Sequence, residues 1–185
     1  MVKLDVITTR GGDGGETSLG DGTRLRKDAV RIEAIGAVDE TNAAVGLLRL
    51  HVGGEEEDAL LARVQNGLFD LGADLCVPGE GGSRLRIGVA HVSALEAATA
   101  ALNATLPPLT SFVLPGGTPG AAAAHLARTV ARRAERAVVR LAAEETVNSD
   151  VVRYLNRLSD LLFVLSRRSN DNGARDVLWQ PGSGA

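Results

Sequence analysis

Beyond Gly120 the chain runs to Glu145 without a single glycine or proline. Thr118-Pro119 stands directly in front of this run, an N-cap residue followed by proline in the first helical position, so a long helix begins there and ends near Glu145. Placed at 100° intervals, Ala123, Leu126, Ala127, Val130, Ala134, Ala137 and Leu141 fall on one face and form an apolar stripe. The stripe is narrow-shouldered and rich in alanine. With only 3% aromatic residues in the whole chain, a core must come from small aliphatic side chains at close range, which favours helix packed on helix.

The opposite face of the same helix carries Arg128, Arg132, Arg136 and Arg140, each four residues apart, with Arg133 and Glu135 beside them. A solvated face is the ordinary explanation of such a pattern. Salt-bridged surface helices, however, alternate the sign of their charges, and this ridge does not, so its arginines repel unless anions arrive. The planar guanidinium fork suits phosphate oxygens. The ridge leaves a nucleic-acid-binding helix as an alternative, against which a net charge of −3 and the scarcity of aromatic stacking platforms both argue.

The rest of the chain divides by the same signals. A first helix is expected from an N-cap at Asp28 to Gly53-Gly54, with Ile35, Val38, Asn42 and Val45 on one face. A second runs from about Glu55 to Cys76, with "EEED" at its positive end and Pro78 beyond it. The stretch "PGEGGSRLRIG" reads as a mobile linker, and a third helix spans Val89 to Asn103. Ser149 is the expected cap of a fifth, whose core face is Val151, Tyr154, Leu155, Leu158, Leu161, Leu162 and Leu165. Asn156, Asp160, Phe163 and Arg167 lie opposite. Phe163 on that otherwise wet face implies cover by another subunit or a ligand.

At 185 residues one domain suffices: a segment 1–27, a helical bundle 28–170 and a polar tail 171–185 that is at most partly ordered, with Trp179 as its anchor. The class is all-α, a five-helix up-and-down bundle preceded by a glycine-rich N-terminal loop. The single cysteine, Cys76, sits in apolar "LGADLCV" and reads as a buried structural thiol. No run approaches a membrane span and no secretory leader is evident, so a cytoplasmic setting is expected.

The glycine-rich stretch is "TRGGDGGETSLGDG", Thr9 to Gly22. A P-loop needs Gly-Lys-Ser/Thr, whereas Gly15 is followed by Glu16, and no βαβ unit follows. The acidic spacing of an EF-hand is absent too. What remains is a flexible loop with open N–H groups, hydroxyls at Thr9, Thr17 and Ser18, and the basic run Arg24, Arg26, Lys27, a composition that suits either an anion nest or a plain surface connector.

Together, "TRGGDGGETSLGDG", "RKD", "AIGAVDETNAAVGLLR", "FVLPGG", "ARTVARRAERAVV" and "RYLNRLSDLLFVLSR" resemble the PduO-type ATP:cob(I)alamin adenosyltransferases, in the family's order from Thr9 to Arg168. The resemblance implies a homotrimer with active sites between subunits. It implies ATP under the loop residues Thr9, Arg10, Gly11, Gly12, Asp13, Thr17 and Ser18, with Lys27, and against Arg132, Arg133, Ala134, Glu135, Arg136 and Asn156. Arg128 and Asp39 match a pair that bridges subunits beside the site, and with Arg132 they are the expected catalytic residues. Phe112 matches the aromatic residue that displaces the lower axial ligand of cobalamin. Mg²⁺ is expected to enter on the phosphates rather than on protein ligands. A reductase and an adenosylcobalamin-dependent enzyme are the implied partners, with no nucleic acid and no membrane. One position departs from the pattern: Gly11 stands where the family usually has a threonine, which removes a hydroxyl and implies somewhat weaker ATP binding.

Two alternatives differ in class. A ferritin-like di-iron bundle needs Glu-x-x-His pairs, but His51, His91 and His125 follow Leu48, Gly88 and Ala122 at that spacing. A non-catalytic carrier of ATP or cobalamin would share every motif, and only turnover separates it from an enzyme.

Overall fold

A computed structural model describes residues 5, 7–79 and 84–184. Its helices are α1 (Val30–Arg49), α2 (Glu55–Cys76), α3 (Val89–Asn103), α4 (Pro119–Glu144) and α5 (Ser149–Ser169). They alternate in direction. At one end of the bundle Arg31 at the start of α1 bonds Glu145 just past α4, through Nε at 2.9 Å and Nη2 at 2.7 Å, and donates to the Leu75 carbonyl near the end of α2 at 2.7 Å. At the other end the Thr118 hydroxyl donates to the Ser169 carbonyl of α5 at 2.9 Å, and Arg168 meets Glu57 of α2 at 3.1 Å. α4 lies between α1 and α5, while α2 packs on α1 and α3 on α5.

The core is a continuous aliphatic cluster of leucines from α2 and α5 and alanines from α4. Of the expected α4 stripe, Ala123, Ala127, Ala134 and Leu141 are buried, but its edge is shifted. Ala121, Ala124, Ala131, Ala134 and Val138 are fully buried, but Leu126 is half exposed and Val130 and Ala137 are only partly covered. The cause is the close approach of α1 and α5, which selects the smallest side chains and not the largest aliphatics. Where α4 begins, a Cβ on Gly120 would come within 2.9 Å of the His51 carbonyl.

Helix ends follow the sequence with small shifts. Thr118 caps α4, its hydroxyl accepting from the Ala121 N–H at 3.1 Å, a contact worth about 1 kcal/mol. The cap of α5 is Asn148, one residue ahead of the expected Ser149, and its side chain accepts from the Asp150 N–H. Asp28 does not cap α1. Its carboxylate is engaged by both Nε and Nη2 of Arg26 at 2.9 and 2.7 Å, and Ala29 occupies the cap position. α1 stops at Arg49, short of Gly53-Gly54.

Three further expectations change. Part of the presumed linker, residues 80–83, lies outside the described residues, but Arg86 and Ile87 beyond it are held firmly. Arg86 ion-pairs buried Asp74 at 2.8 Å and donates to the Val77 carbonyl, and the Ile87 N–H donates to Asp74 at 2.9 Å. Arg167 is not on a wet face. It is buried in an ion pair with buried Asp176 at 2.8 Å, so the tail is ordered and built into the fold. Phe163 is half-buried against the edge of His125, ring centroids 6.2 Å apart, so its own chain supplies part of the cover assigned to a partner. Among the described residues no helix is long and apolar enough to cross a membrane.

Candidate active site

The glycine-rich stretch is not the unstructured loop expected. Glu16–Ser18 and Arg24–Arg26 form an antiparallel hairpin, β1 and β2, with Thr17 opposite Leu25. Buried Leu19 and the Gly20 N–H, which donates to the Cys76 carbonyl at 3.0 Å and to its thiol at 3.1 Å, dock the hairpin on the end of α2. Cys76 is therefore half-buried and hydrogen-bonded, not sealed in the core.

Ahead of β1, Arg10 to Gly15 wind into successive tight turns: Asp13 N–H donates to the Arg10 carbonyl and Gly15 N–H to Gly12, at 3.2 and 3.1 Å. Arg24 organises this segment from below, reaching the Gly11 carbonyl at 3.0 Å, the Ser18 hydroxyl at 3.2 Å and Glu16 at 3.4 Å. The Lys27 backbone N–H donates to the Gly15 carbonyl at 2.9 Å, and its ammonium lies over Gly12, where a Cβ would come within 2.9 Å of Nζ. Thr9, Arg10, Gly11, Gly12, Asp13, Ser18 and Lys27 are thus gathered with half-buried Thr17 in one hairpin and its lead-in turns. Arg24 is the member that motif matching underrates, since only its place in the basic run marked it. Arg26 is occupied by Asp28, which is held below the usual carboxylate range chiefly by that hydrogen bond.

On α4, Arg132 and Arg136 are exposed, and Arg136 donates to the Arg132 carbonyl at 3.1 Å. Arg128 is half-buried and its Nε has no partner; burial first, and neighbouring Arg132 second, weaken its hold on its proton. Arg133 is paired with Glu40 of α1. Arg140 is offset by Glu144 at 3.8 Å. Glu135 accepts from Asn156 of α5 at 3.0 Å, and Asn156 in turn accepts from Arg157 at 2.7 Å. Ala134 is fully buried in the core, so its side chain is not presented to a ligand.

The other expected residues stand apart. Asp39 is exposed on α1, beside an apolar groove lined by Ile35, Leu68 and Phe69, and among the described residues it forms no ion pair with Arg128. Phe112, 77% exposed, belongs to the segment leading into α4, at the opposite end of the bundle from the hairpin. α4 alone spans about 39 Å at 1.5 Å per residue. Among the described residues no hydrogen bond or ion pair joins the arginine ridge to the hairpin or to Phe112. Among the described residues no cluster of three or more His, Cys, Asp or Glu side chains is placed to hold a metal ion.

Comparison with known proteins gives this geometry its context. The family profile described as cobalamin adenosyltransferase matches residues 7–169. A cobalamin adenosyltransferase of Cupriavidus metallidurans is 49% identical over 180 residues, covering 96% of each chain. A corrinoid adenosyltransferase of Mycobacterium tuberculosis is 47% identical over 187 residues, covering 98% of this chain and 96% of its own. Among solved structures, a phenylalanine-to-alanine variant of a PduO-type ATP:corrinoid adenosyltransferase from Lactobacillus reuteri, complexed with cobalamin and ATP, superposes with a TM-score of 0.86 at 34% identity, over 94% of this chain and 98% of that one. The chain belongs to the cobalamin adenosyltransferase family.

Proposed function

We propose that the protein transfers the 5′-deoxyadenosyl group of ATP to the Co(I) centre of reduced cobalamin, releasing tripolyphosphate, and that it does so in the cytoplasm as a homotrimer with its sites between subunits. The observation that carries this reading is the pair of surfaces one chain leaves unmet: a glycine-turn hairpin with Lys27 over Gly12, and an arginine ridge with no acid at Arg128 or Arg132 among the described residues. Both suit one triphosphate, and a neighbouring subunit brings them together. Exposed Leu126 and Val139 on α4 and Phe69 on α2 supply apolar surface for that contact.

In this reaction Co(I) attacks C5′, the cobalt–carbon bond forms, and the C5′–O bond breaks with its electron pair leaving on tripolyphosphate. Cob(I)alamin is itself the nucleophile, so the protein's work is positioning and charge stabilisation. Lys27, Arg10, Arg132 and Arg136 hold the triphosphate, together with the Mg²⁺ it carries, and stabilise the charge gathered on the leaving group. Thr9, Thr17, Ser18 and the N–H groups of Gly11 and Gly12 cradle it. Gly11 offers a backbone donor where relatives of the pattern offer a hydroxyl as well, which weakens ATP binding without abolishing turnover.

Glu135 and Asn156, hydrogen-bonded to each other, face the nucleoside portion, and Arg133 is held by Glu40 beside the ridge. Asp39 of one subunit receives Arg128 of the next, which offsets the cost of leaving a half-buried guanidinium unpaired. Phe112 packs under the corrin and excludes the lower axial base, easing reduction of Co(II) to the reactive Co(I). A reductase supplies the reduced substrate, and an adenosylcobalamin-dependent enzyme consumes the product.

The test is turnover. Protein mixed with Mg-ATP and chemically reduced cob(I)alamin should bleach the Co(I) absorption and yield adenosylcobalamin above a protein-free control. Binding of both substrates with no product would leave a carrier in place of an enzyme.

A further inference from the structure

The end of α2, on which the hairpin rests, is capped almost wholly by arginines from other parts of the chain. A helix leaves its last carbonyls without intrahelical donors, and α2 has no basic residue in its last turn to meet them. Arg86 takes the Asp74 carbonyl at 2.6 Å through Nη1, and those of Val77 and Gly79 at 2.8 and 2.6 Å through Nη2. Arg31 takes the Leu75 carbonyl at 2.7 Å, and Arg84 that of Pro78 at 3.0 Å. Between them stands the Cys76 carbonyl, and its donor is the Gly20 N–H of the hairpin at 3.0 Å. The hairpin thus completes a row of caps whose other members are guanidinium groups.

This turn is held by hydrogen bonds more than by packing, since a cavity of about 500 Å³ opens against it, lined by Arg31, Val77, Pro78, Arg86, Asn148 and Ser149. Arg86 is the member that also reaches into the bundle. Its Nη1 pairs with the buried Asp74 carboxylate at 2.8 Å, whose second oxygen accepts from the Ile87 N–H at 2.9 Å and from the Asn148 amide at 2.8 Å. Asn148 is the cap of α5. One guanidinium therefore ties the turn to α2 and, through Asp74, to the start of α5. On the hairpin side the approach is close: a Cβ on Gly20 would come within 2.9 Å of the Val77 side chain, and the Leu19 N–H closes the hairpin on the Thr23 carbonyl at 2.8 Å. A shift of Cys76 and Val77 passes directly to Leu19 and Gly20.

We propose that Arg86 is a positioning residue for ATP: by fixing the carbonyls on either side of Cys76, it sets the height and tilt at which the hairpin, and Lys27 with it, meets the triphosphate. The proposal rests on the reading of the hairpin as the ATP-binding element given above. Lysine at this position would keep a positive charge opposite Asp74, but it would present one nitrogen where the guanidinium aims two at separate carbonyls.

The experiment compares Arg86→Lys, Gly20→Ala, the two together and Lys27→Ala, reading KM and kcat for ATP at saturating cob(I)alamin and amide hydrogen exchange without nucleotide. Arg86→Lys should raise the KM for ATP about ten-fold with kcat within about two-fold of wild type. The Leu19 and Gly20 amides should exchange about ten-fold faster while those of α4 keep their protection. Gly20→Ala should raise KM to a similar degree, and the double variant should be little worse than either single one, because both loosen one contact. KM and exchange within about two-fold of wild type in Arg86→Lys would overturn the proposal, and so would KM increases that multiply in the double variant. Lys27→Ala keeps the two readings apart. If it is inactive while Arg86→Lys is silent, the positioning role falls and the hairpin remains the ATP-binding element. If it turns over ATP normally, the hairpin reading fails and the role of Arg86 falls with it.

Discussion

Arg132 stands on the exposed side of α4 one turn from Arg128, and neither meets an acid among the described residues. A guanidinium in that position contributes little to the fold and is free for the triphosphate proposed to bind there. Arg132→Ala should lower kcat/KM for ATP roughly a hundred-fold with an unchanged circular dichroism spectrum; unaltered kinetics would remove it from the site. His125 is the opposite case, fully buried with neither ring nitrogen hydrogen-bonded. Desolvation, then the nearby Arg128 charge, pushes its pKa below the ordinary 6.5, against a smaller opposing pull from Asp176. The folded state keeps this imidazole neutral, so on acidification the unfolded chain takes up the proton first. That contribution to stability is intact above pH 6.5 and declines as pH falls below it. Urea unfolding at pH 7.5 and at about pH 5.5 should show the decline, and His125→Phe should flatten it. Spacing alone revealed the arginines, since they repeat along one helix. The pairing of Arg167 with Asp176 was hidden, because it depends on where the tail returns.

Among elements, the boundaries of α2, α3 and α4 followed from proline, glycine and capping chemistry, which act locally. The phase of α4 followed only in part, through Ala123, Ala127, Ala134 and Leu141. A helix wheel weighs side chains by size, whereas close neighbours on two sides bury Ala124 and Ala131 and leave Leu126 half out. The hairpin was likewise invisible behind its glycines, because three-residue strands carry almost no periodicity. Its geometry makes a specific demand at Gly12. An added methyl would come within 2.9 Å of the Lys27 ammonium and displace the lysine from the turn. Gly12→Ala should therefore raise the KM for ATP about ten-fold, while the melting temperature, set by the helices, stays where it was. A fall in melting temperature with normal KM would instead make Gly12 a folding residue.

For the whole molecule, alternation of helix direction decides which surfaces can meet. The hairpin sits where α1 begins, Phe112 sits where α4 begins, and about 39 Å of helix lies between those ends. The sites proposed to lie between subunits make a quantitative prediction for mixed assemblies. Lys27→Ala lacks a working hairpin and Arg132→Ala lacks a working ridge, and each alone should be nearly inactive. Unfolded together and refolded as mixed trimers, they should regain about a quarter of wild-type activity, since one interface in four joins two intact halves. No recovery would place both groups in the same subunit's site. The sequence made the helix count and order legible, but not this separation, which emerges only when the five elements are stacked.

The alanine seam where α4 meets its neighbours has a further meaning. Arg133 on α4 reaches Glu40 on α1, so the gap between these two helices fixes how far the ridge stands from the groove beside Asp39. Ala127, Ala131 and Ala134, all fully buried on α4, let it pack closely on α1 and α5, as shims set the clearance in a bearing. Enlarging one of them would widen the molecule's waist and alter the fit to the proposed neighbouring subunit without touching any residue proposed to meet substrate. Reach toward the ligand is thus governed from inside the protein, by the side chains with the least to say chemically.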